Sequence, residues 1–267
     1  FEYGIWRRFA LTPCSMPFSF PFFKLLFMPI SKVEQIDCMI GLKKYPPQYF
    51  DLLVADIPYG LNVAKMAFTQ EVKTTVKQRN GNRLRIPKEK YALKSWDTEV
   101  PNQAYFDEIK RVSKHQIIWG VEYVNWEGLG NGRIKWDKCV PKGLSFKGYE
   151  MAYCSMIDYT WEFKLLWTGM NQAVSLREPT TQQGNKKLNE KRIHPTQKPR
   201  LLYQLLFQKF AKTNWKILDT HLGSGSSRIA AFKMDLDFYG FEIDNDYFLK
   251  QDERFLNETA MPLFSMA

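Results

Sequence analysis

The chain has 267 residues, room for one large domain or one domain with a modest insertion. Apolar residues at 45% and charged residues at 25% exclude a disordered or fibrous chain and allow a sizeable core. Lys and Arg number 38 against 28 acidic residues, and the resulting +10 favours a polyanionic partner.

Residues 1–30 carry Arg7-Arg8 and then an apolar stretch to Ile30. Pro13, Pro17, Pro21 and Pro29 interrupt it and Lys24 lies inside it, so a helical signal segment is disfavoured. The expectation is a non-native or upstream-translated extension, with Met28 as the natural start. No apolar run reaches the length of a membrane-spanning helix. Cys14, Cys38, Cys139 and Cys154 form no C-x-x-C pair, and His115, His194 and His221 form no metal-binding spacing. No metal site is expected. Thiols this few and this far apart suit a reducing, cytoplasmic setting.

From Lys32 onward, short apolar strands alternate with amphipathic stretches. Strands are predicted at Val33–Ile36, Asp51–Ala55, Gln116–Gly120, Arg133–Asp137, Met151–Ser155, Glu162–Trp167, Trp215–Asp219 and Asp237–Glu242. Helices are predicted at Met39–Tyr45, Gln103–Val112, Arg200–Ala211, Ser224–Met234 and Asn245–Leu256, the third opening after Pro199. Strand–helix alternation predicts an α/β fold with a mainly parallel sheet. Residues 61–95 hold nine Lys and Arg side chains against Glu71 and Glu89 and read as a basic insertion. Such a run is more often a solvated loop than a binding surface. Residues 170–193 lose periodicity.

Two turns carry the chemistry. Ile217-Leu218-Asp219-Thr220-His221-Leu222-Gly223-Ser224-Gly225 reads as strand, tight turn and helix start. Glycines there admit a nucleotide-like ligand close to the backbone. Arg228 stands where a dinucleotide fingerprint has its third glycine, and no Gly-Lys-Ser/Thr follows, so a phosphate loop is disfavoured. Asp219 suits a cationic group of the ligand, and Glu242, ending the next strand, suits ribose hydroxyls. The second turn, Asp56-Ile57-Pro58-Tyr59, follows the strand Asp51–Ala55. An exocyclic base amine is a poor nucleophile because its lone pair is conjugated into the ring. Acceptors aimed at its protons localise that pair, and Asp56 with the Ile57 carbonyl can supply two. Pro58 stiffens the turn and Tyr59 can stack on a base that has left the duplex. Alone, the turn is also compatible with a plain strand ending.

Together these features resemble the amino-methylating DNA methyltransferases, in the circularly permuted order called the beta class. Asp56-Ile57-Pro58-Tyr59 stands where that class has Asp-Pro-Pro-Tyr, ahead of the cofactor turn Asp219–Gly225. His194-Pro195-Thr196-Gln197-Lys198-Pro199 resembles the segment preceding the cofactor strand, and this hexapeptide is the most specific match. Trp136-Asp137-Lys138 and Glu150-Met151-Ala152 resemble accessory motifs. The likeness spans roughly residues 31–257, and Ile57 in place of Pro is its departure.

The resemblance implies a Rossmann-like three-layer sandwich over residues 31–260 with S-adenosyl-L-methionine (AdoMet) as cofactor. It implies cofactor contacts from Asp37 (on the adenine side), Thr196, Lys198, Asp219, Thr220, Gly223, Ser224, Gly225 and Glu242, and double-stranded DNA as partner. Target recognition is expected in residues 156–193. Asp at the first motif position is similar to the adenine-N6 enzymes, with cytosine-N4 as the alternative and an inactive DNA-binding module of the same fold as a third. A homodimer, and a restriction endonuclease as a functional rather than physical partner, are compatible with the resemblance.

Overall fold

The computed structural model describes residues 28–61, 75–77, 83–85, 99–141, 147–168 and 171–260. The expected N-terminal extension lies almost wholly outside the described residues. So does the 61–95 insertion, apart from Leu61 and the short antiparallel pair β3 (Thr75–Lys77) and β4 (Arg83–Arg85).

The main sheet has eight strands. These are β1 (Ser31–Gln35), β2 (Phe50–Asp56), β5 (Ser113–Trp119), β6 (Arg133–Asp137), β7 (Tyr149–Cys154), β8 (Thr160–Lys164), β11 (Lys216–Asp219) and β12 (Asp237–Glu242). Their spatial order is β1-β12-β11-β2-β5-β7-β6-β8. The first five in that order are mutually parallel, β7 runs antiparallel to β5 and β6, and β8 lies parallel to β6 on the edge. The strand that carries the glycine turn, β11, comes late in the chain yet pairs directly with β2, Asp219 opposite Val54.

Side chains of β2 alternate between two cores. Leu52 and Val54 face one cluster with Ile117, Ile217 and Phe238, against helix α3 (Arg200–Phe210) and helix α4 (Ser226–Lys233). Leu53 and Ala55 face the other, with Phe106, Ile109 and Leu218, against α1 (Cys38–Leu42) and α2 (Gln103–Val112). Strands buried on both faces need helices on both, which gives three layers. The last helix, α5 (Asn245–Thr259), packs on α4 through Phe255 and Phe232.

The segment 156–193 does not stand apart from the sheet. It begins with β8, then forms the two-residue pair β9 (Trp167–Thr168) and β10 (Asn171–Gln172) and runs irregularly to the hexapeptide. The predicted strand Glu162–Trp167 is broken at Leu165, whose N–H turns back to the Asp137 carbonyl at 3.0 Å.

A buried acid pins this irregular run. Glu190 accepts from the Arg200 backbone N–H at 3.0 Å, Gln197 Nε2 at 3.1 Å and Arg254 Nη2 at 2.6 Å. It and Arg254 are 9% and 6% exposed, so deleting the acid takes one of two acidic partners from a buried guanidinium, Glu258 remaining at 2.9 Å, and leaves the Arg200 N–H without its acceptor. Glu190→Ala should lower unfolding free energy by about 3 kcal/mol, read by urea denaturation.

Candidate active site

Parallel strands deliver their carboxyl ends to one edge, where ligands bind in open α/β sheets. Four acids gather there: Asp37 just after β1, Glu242 ending β12, Asp219 ending β11 and Asp56 ending β2. Asp37 caps α1, its Oδ1 accepting from the Met39 and Ile40 N–H groups at 2.9 and 3.2 Å.

The glycine turn closes over Glu242. The Gly223 N–H donates to Glu242 Oε2 at 2.7 Å, and the Asp244 N–H to Oε1 at 2.9 Å. Gly223 and Gly225 have φ of +51° and +71°, the left-handed region that favours glycine. A Cβ at Gly223 would meet nothing nearer than 3.9 Å, so the backbone there leaves open space. At Gly225 it would press on Gln251 at 3.1 Å, which ties the start of α4 to α5. That left-handed residue is why α4 begins at Ser226 and not at Ser224. Ser224 is buried with its hydroxyl 3.2 Å from that of Ser226. Thr220 bonds the Tyr105 hydroxyl at 2.6 Å and His221 Nδ1 at 3.1 Å.

Asp219 is 1% exposed and accepts from Ser227 Oγ at 2.5 Å and the His221 N–H at 3.0 Å. Burial pushes its carboxyl up to about 7 despite those bonds. It pairs with no cationic side chain among the described residues. A buried acid without a counter-charge suits a ligand that brings one.

The hexapeptide packs beside this turn. His194 lies 4.3 Å from the Tyr247 ring, centroid to centroid, and Thr196 bonds His194 Nδ1 through its hydroxyl at 3.1 Å. His194 is 8% exposed, and burial pulls its imidazole down to about 3. The unfolded chain takes up this proton near pH 6.5 and the folded chain does not. Stability is therefore fully present above that pH and falls below it, by about 1.4 kcal/mol per unit from this residue. Denaturation at about pH 7.5 and about pH 5.5 should show a steeper acid loss in wild type than in His194→Asn.

The second turn is built differently. Ile57 is buried at 3% in the α1–α2 core, which anchors the turn after β2. The Tyr59 hydroxyl donates to Asp56 Oδ1 at 2.8 Å. Lys198, expected among the cofactor contacts, brings its ammonium to Asp56 Oδ1, to the Tyr59 hydroxyl at 3.0 Å and to Glu150 Oε2 at 3.0 Å. Glu150 also accepts from Lys138 at 3.1 Å. Burial raises the Asp56 carboxyl, Lys198 opposes that, and Glu150 adds to it. Burial likewise works against ionisation of Glu150, yet Lys198 and Lys138 bring it down to about 2.

Asp56 pairs in register with Trp119, the last residue of β5. Gly120 follows with φ +83° and opens a single helical turn, Val121–Tyr123. That turn lays Tyr123 on Tyr59 with ring centroids 4.8 Å apart and planes 18° apart. The Trp119 indole N–H is buried without an acceptor among the described residues. Glu150, Lys138, Trp119, Gly120 and Tyr123 are site neighbours that sequence reasoning did not assign. For Glu150 and Lys138 the accessory motifs were a signal without a role.

The sheet order thus places a glycine turn over one acid and an aspartate-tyrosine turn on the adjacent strand, both at the same edge of an α/β fold. A family description, the DNA methylases of the N6/N4 type, matches residues 61–251, and the chain belongs to that family. These enzymes methylate amino groups of DNA, with AdoMet as methyl donor. The match begins just after Asp56-Ile57-Pro58-Tyr59 and includes the hexapeptide and the glycine turn.

Among curated relatives, "Putative methylase YubD" of Escherichia coli strain K12 is 23% identical over 221 residues, 82% of this chain and 87% of that one. Among solved structures, the M1.HpyAVI–SAM complex aligns over 84% of this chain and 98% of its own, at 15% identity and a TM-score of 0.46. PvuII DNA methyltransferase, described as cytosine-N4-specific, aligns over 87% and 89% at 11% identity and a TM-score of 0.48. Among the described residues, no helix is long and apolar enough to cross a membrane. No cluster of three or more His, Cys, Asp or Glu suited to a metal ion occurs among them either.

Proposed function

We propose that the chain methylates the N6 amine of adenine in double-stranded DNA, on a base turned out of the helix. The observation that carries this is the Asp56 carboxylate. It stands at the sheet's ligand edge with both of its donors, Lys198 Nζ and Tyr59 Oη, on Oδ1. Oδ2 accepts no hydrogen bond among the described residues, so it is the atom available to an amine proton. Aspartate at this position, which resembles the adenine enzymes, is the support for adenine over cytosine.

Asp37, Thr196, Asp219, Thr220, Gly223, Ser224, Gly225 and Glu242 form the cofactor side. The residues fit the group: Asp219 offers an unpaired buried carboxylate to a cation, and Glu242 keeps lone pairs for hydroxyls beyond its two backbone donors. AdoMet, when bound, supplies an electrophilic methyl on a sulfonium. Asp56, with the Ile57 carbonyl, accepts the amine protons and so localises the nitrogen lone pair for attack. Pro58 restricts the turn, and Tyr59, backed by Tyr123, offers a stacking surface. As the N–C bond forms, the methyl–sulfur bond would break with its electron pair left on sulfur as a neutral thioether, and the amine turns cationic and sheds one proton. Asp56, whose carboxyl burial has already raised, is placed to take it. No covalent enzyme–base intermediate is needed. Basic side chains of 61–95 and the segment 156–193 are the proposed DNA contacts, the former to phosphates.

Labelled methyl transfer to amplified DNA tests the base assignment. DNA made with N6-methyl-dATP in place of dATP should accept no label, and DNA made with N4-methyl-dCTP in place of dCTP should accept it normally. The reverse pattern would overturn adenine in favour of cytosine.

A further inference from the structure

Four charged side chains from four separated segments form an alternating row. Asp56 ends β2, Lys198 precedes α3, Glu150 lies on β7 and Lys138 follows β6. Lys198 contacts Asp56 on one side and Glu150 at 3.0 Å on the other, and Glu150 contacts Lys138 at 3.1 Å. Two negative and two positive charges sum to zero. The Lys198 ammonium is 5% exposed and sits between rings as well, 5.4 Å from the Tyr59 centroid and 5.5 Å from that of Trp119. Burying a lysine this way is costly without partners, and each acid supplies one.

A lone lysine beside a lone aspartate can slide between the two carboxylate oxygens. Here a second acid, itself tethered by Lys138, holds the far side of the ammonium. We infer that Glu150 is a positioning residue for methyl transfer: it fixes Lys198 so that the ammonium occupies Asp56 Oδ1 and leaves Oδ2 to the target amine. This rests on Asp56 being the amine acceptor. Lys198 and Lys138 hold the Glu150 carboxyl well below the usual carboxylate range, which keeps it charged beside Lys198.

A purely structural ion row predicts lost stability and nothing more. A positioning role predicts a change in how Asp56 titrates. Asp56 is faced by Tyr59 on its own turn, by Lys198 and Glu150, and across the sheet edge by Asp219 and Tyr203. Lys198 is faced by Asp56, Glu150 and Tyr59, and by His194 of its own segment. Removing the Glu150 charge takes away a like charge and makes Asp56 easier to ionise, while removing Lys198 does the opposite.

The test is the pH profile of single-turnover transfer of labelled methyl from AdoMet to DNA, with AdoMet affinity measured by calorimetry. Glu150→Gln should lower the plateau rate about 10- to 100-fold, leave AdoMet affinity within about twofold, and move the acid limb to lower pH. Lys198→Met should move that limb to higher pH. Should Glu150→Gln fail to fold, Lys138→Met removes its tether and should give a smaller rate loss in the same direction. A Glu150→Gln or Lys138→Met enzyme with wild-type rate and acid limb, beside an inactive Asp56→Ala enzyme, overturns the inference alone. Turnover retained in Asp56→Ala overturns the assignment of Asp56, and the inference with it.

Discussion

Asp56→Ala should lose methyl transfer by about 10²- to 10³-fold in kcat while binding AdoMet with nearly unchanged affinity. The two effects separate because the proposed cofactor acids, Asp219 and Glu242, and Asp56 stand on different strands. Gly223 bonds Glu242 and Asp219 bonds Ser227, and neither contact passes through Asp56. Lys198 keeps Glu150 as a partner when the aspartate is gone, so the buried ammonium is not stranded and the fold should survive. Calorimetry with AdoMet and single-turnover transfer to DNA measure the two halves. Asp56→Asn is the sharper variant, since its one oxygen stays with the Lys198 and Tyr59 donors and its NH2 then faces the target amine, donor against donor. It should be nearly as impaired as alanine.

Gly120→Ala should be close in effect and fail for a steric reason. The residue has φ +83°, where an L side chain is strained by about 1–2 kcal/mol. A Cβ there would lie 2.2 and 2.5 Å from two ring carbons of Tyr59. Real contacts cannot be that short, so either the ring or the backbone after β5 must move. Moving the ring breaks the Tyr59 bond to Asp56 and the stack on Tyr123 together. Loss of about 100-fold in transfer rate is expected, with a lower melting temperature and intact AdoMet binding. Gly120→Ala at the wild-type rate would show that the Tyr59 ring has no part in holding the base.

Much of the frame was legible in the sequence because each element obeys a local rule. The helix Gln103–Val112 has the bounds its periodicity predicts, with Asn102 capping the Tyr105 N–H. The strands Arg133–Asp137 and Asp237–Glu242 also have the predicted bounds. The ends that shifted did so through contacts beyond the periodic pattern. The first strand begins two residues earlier than predicted, and Ser31 pairs there with Phe238, far along the chain. The last helix runs on to Thr259, where Glu258 is held by Arg200 and Arg254.

The site was legible as turns but not as a network. Asp56 and the glycine turn were found because strand ends followed by Pro or Gly are visible locally. The resemblance of the hexapeptide implied a cofactor role for Lys198 and gave no hint of the ion row its long side chain reaches. Asp56 and Glu150, its partners in that row, are 142 and 48 positions away along the chain, a separation that no periodicity encodes. Tyr123 follows an ordinary strand ending, and only the left-handed Gly120 turns it onto Tyr59. Ile57, the one departure from the family pattern in the Asp56–Tyr59 turn, is explained by burial: its side chain fills core against α2.

Nucleoside mass spectrometry of DNA from cells expressing the chain tests the central claim most directly. The account predicts N6-methyladenine in the wild-type sample and none above background with Asp56→Ala. Methylation at carbon 5 of cytosine, or equal N6-methyladenine from the Asp56→Ala chain, would contradict it.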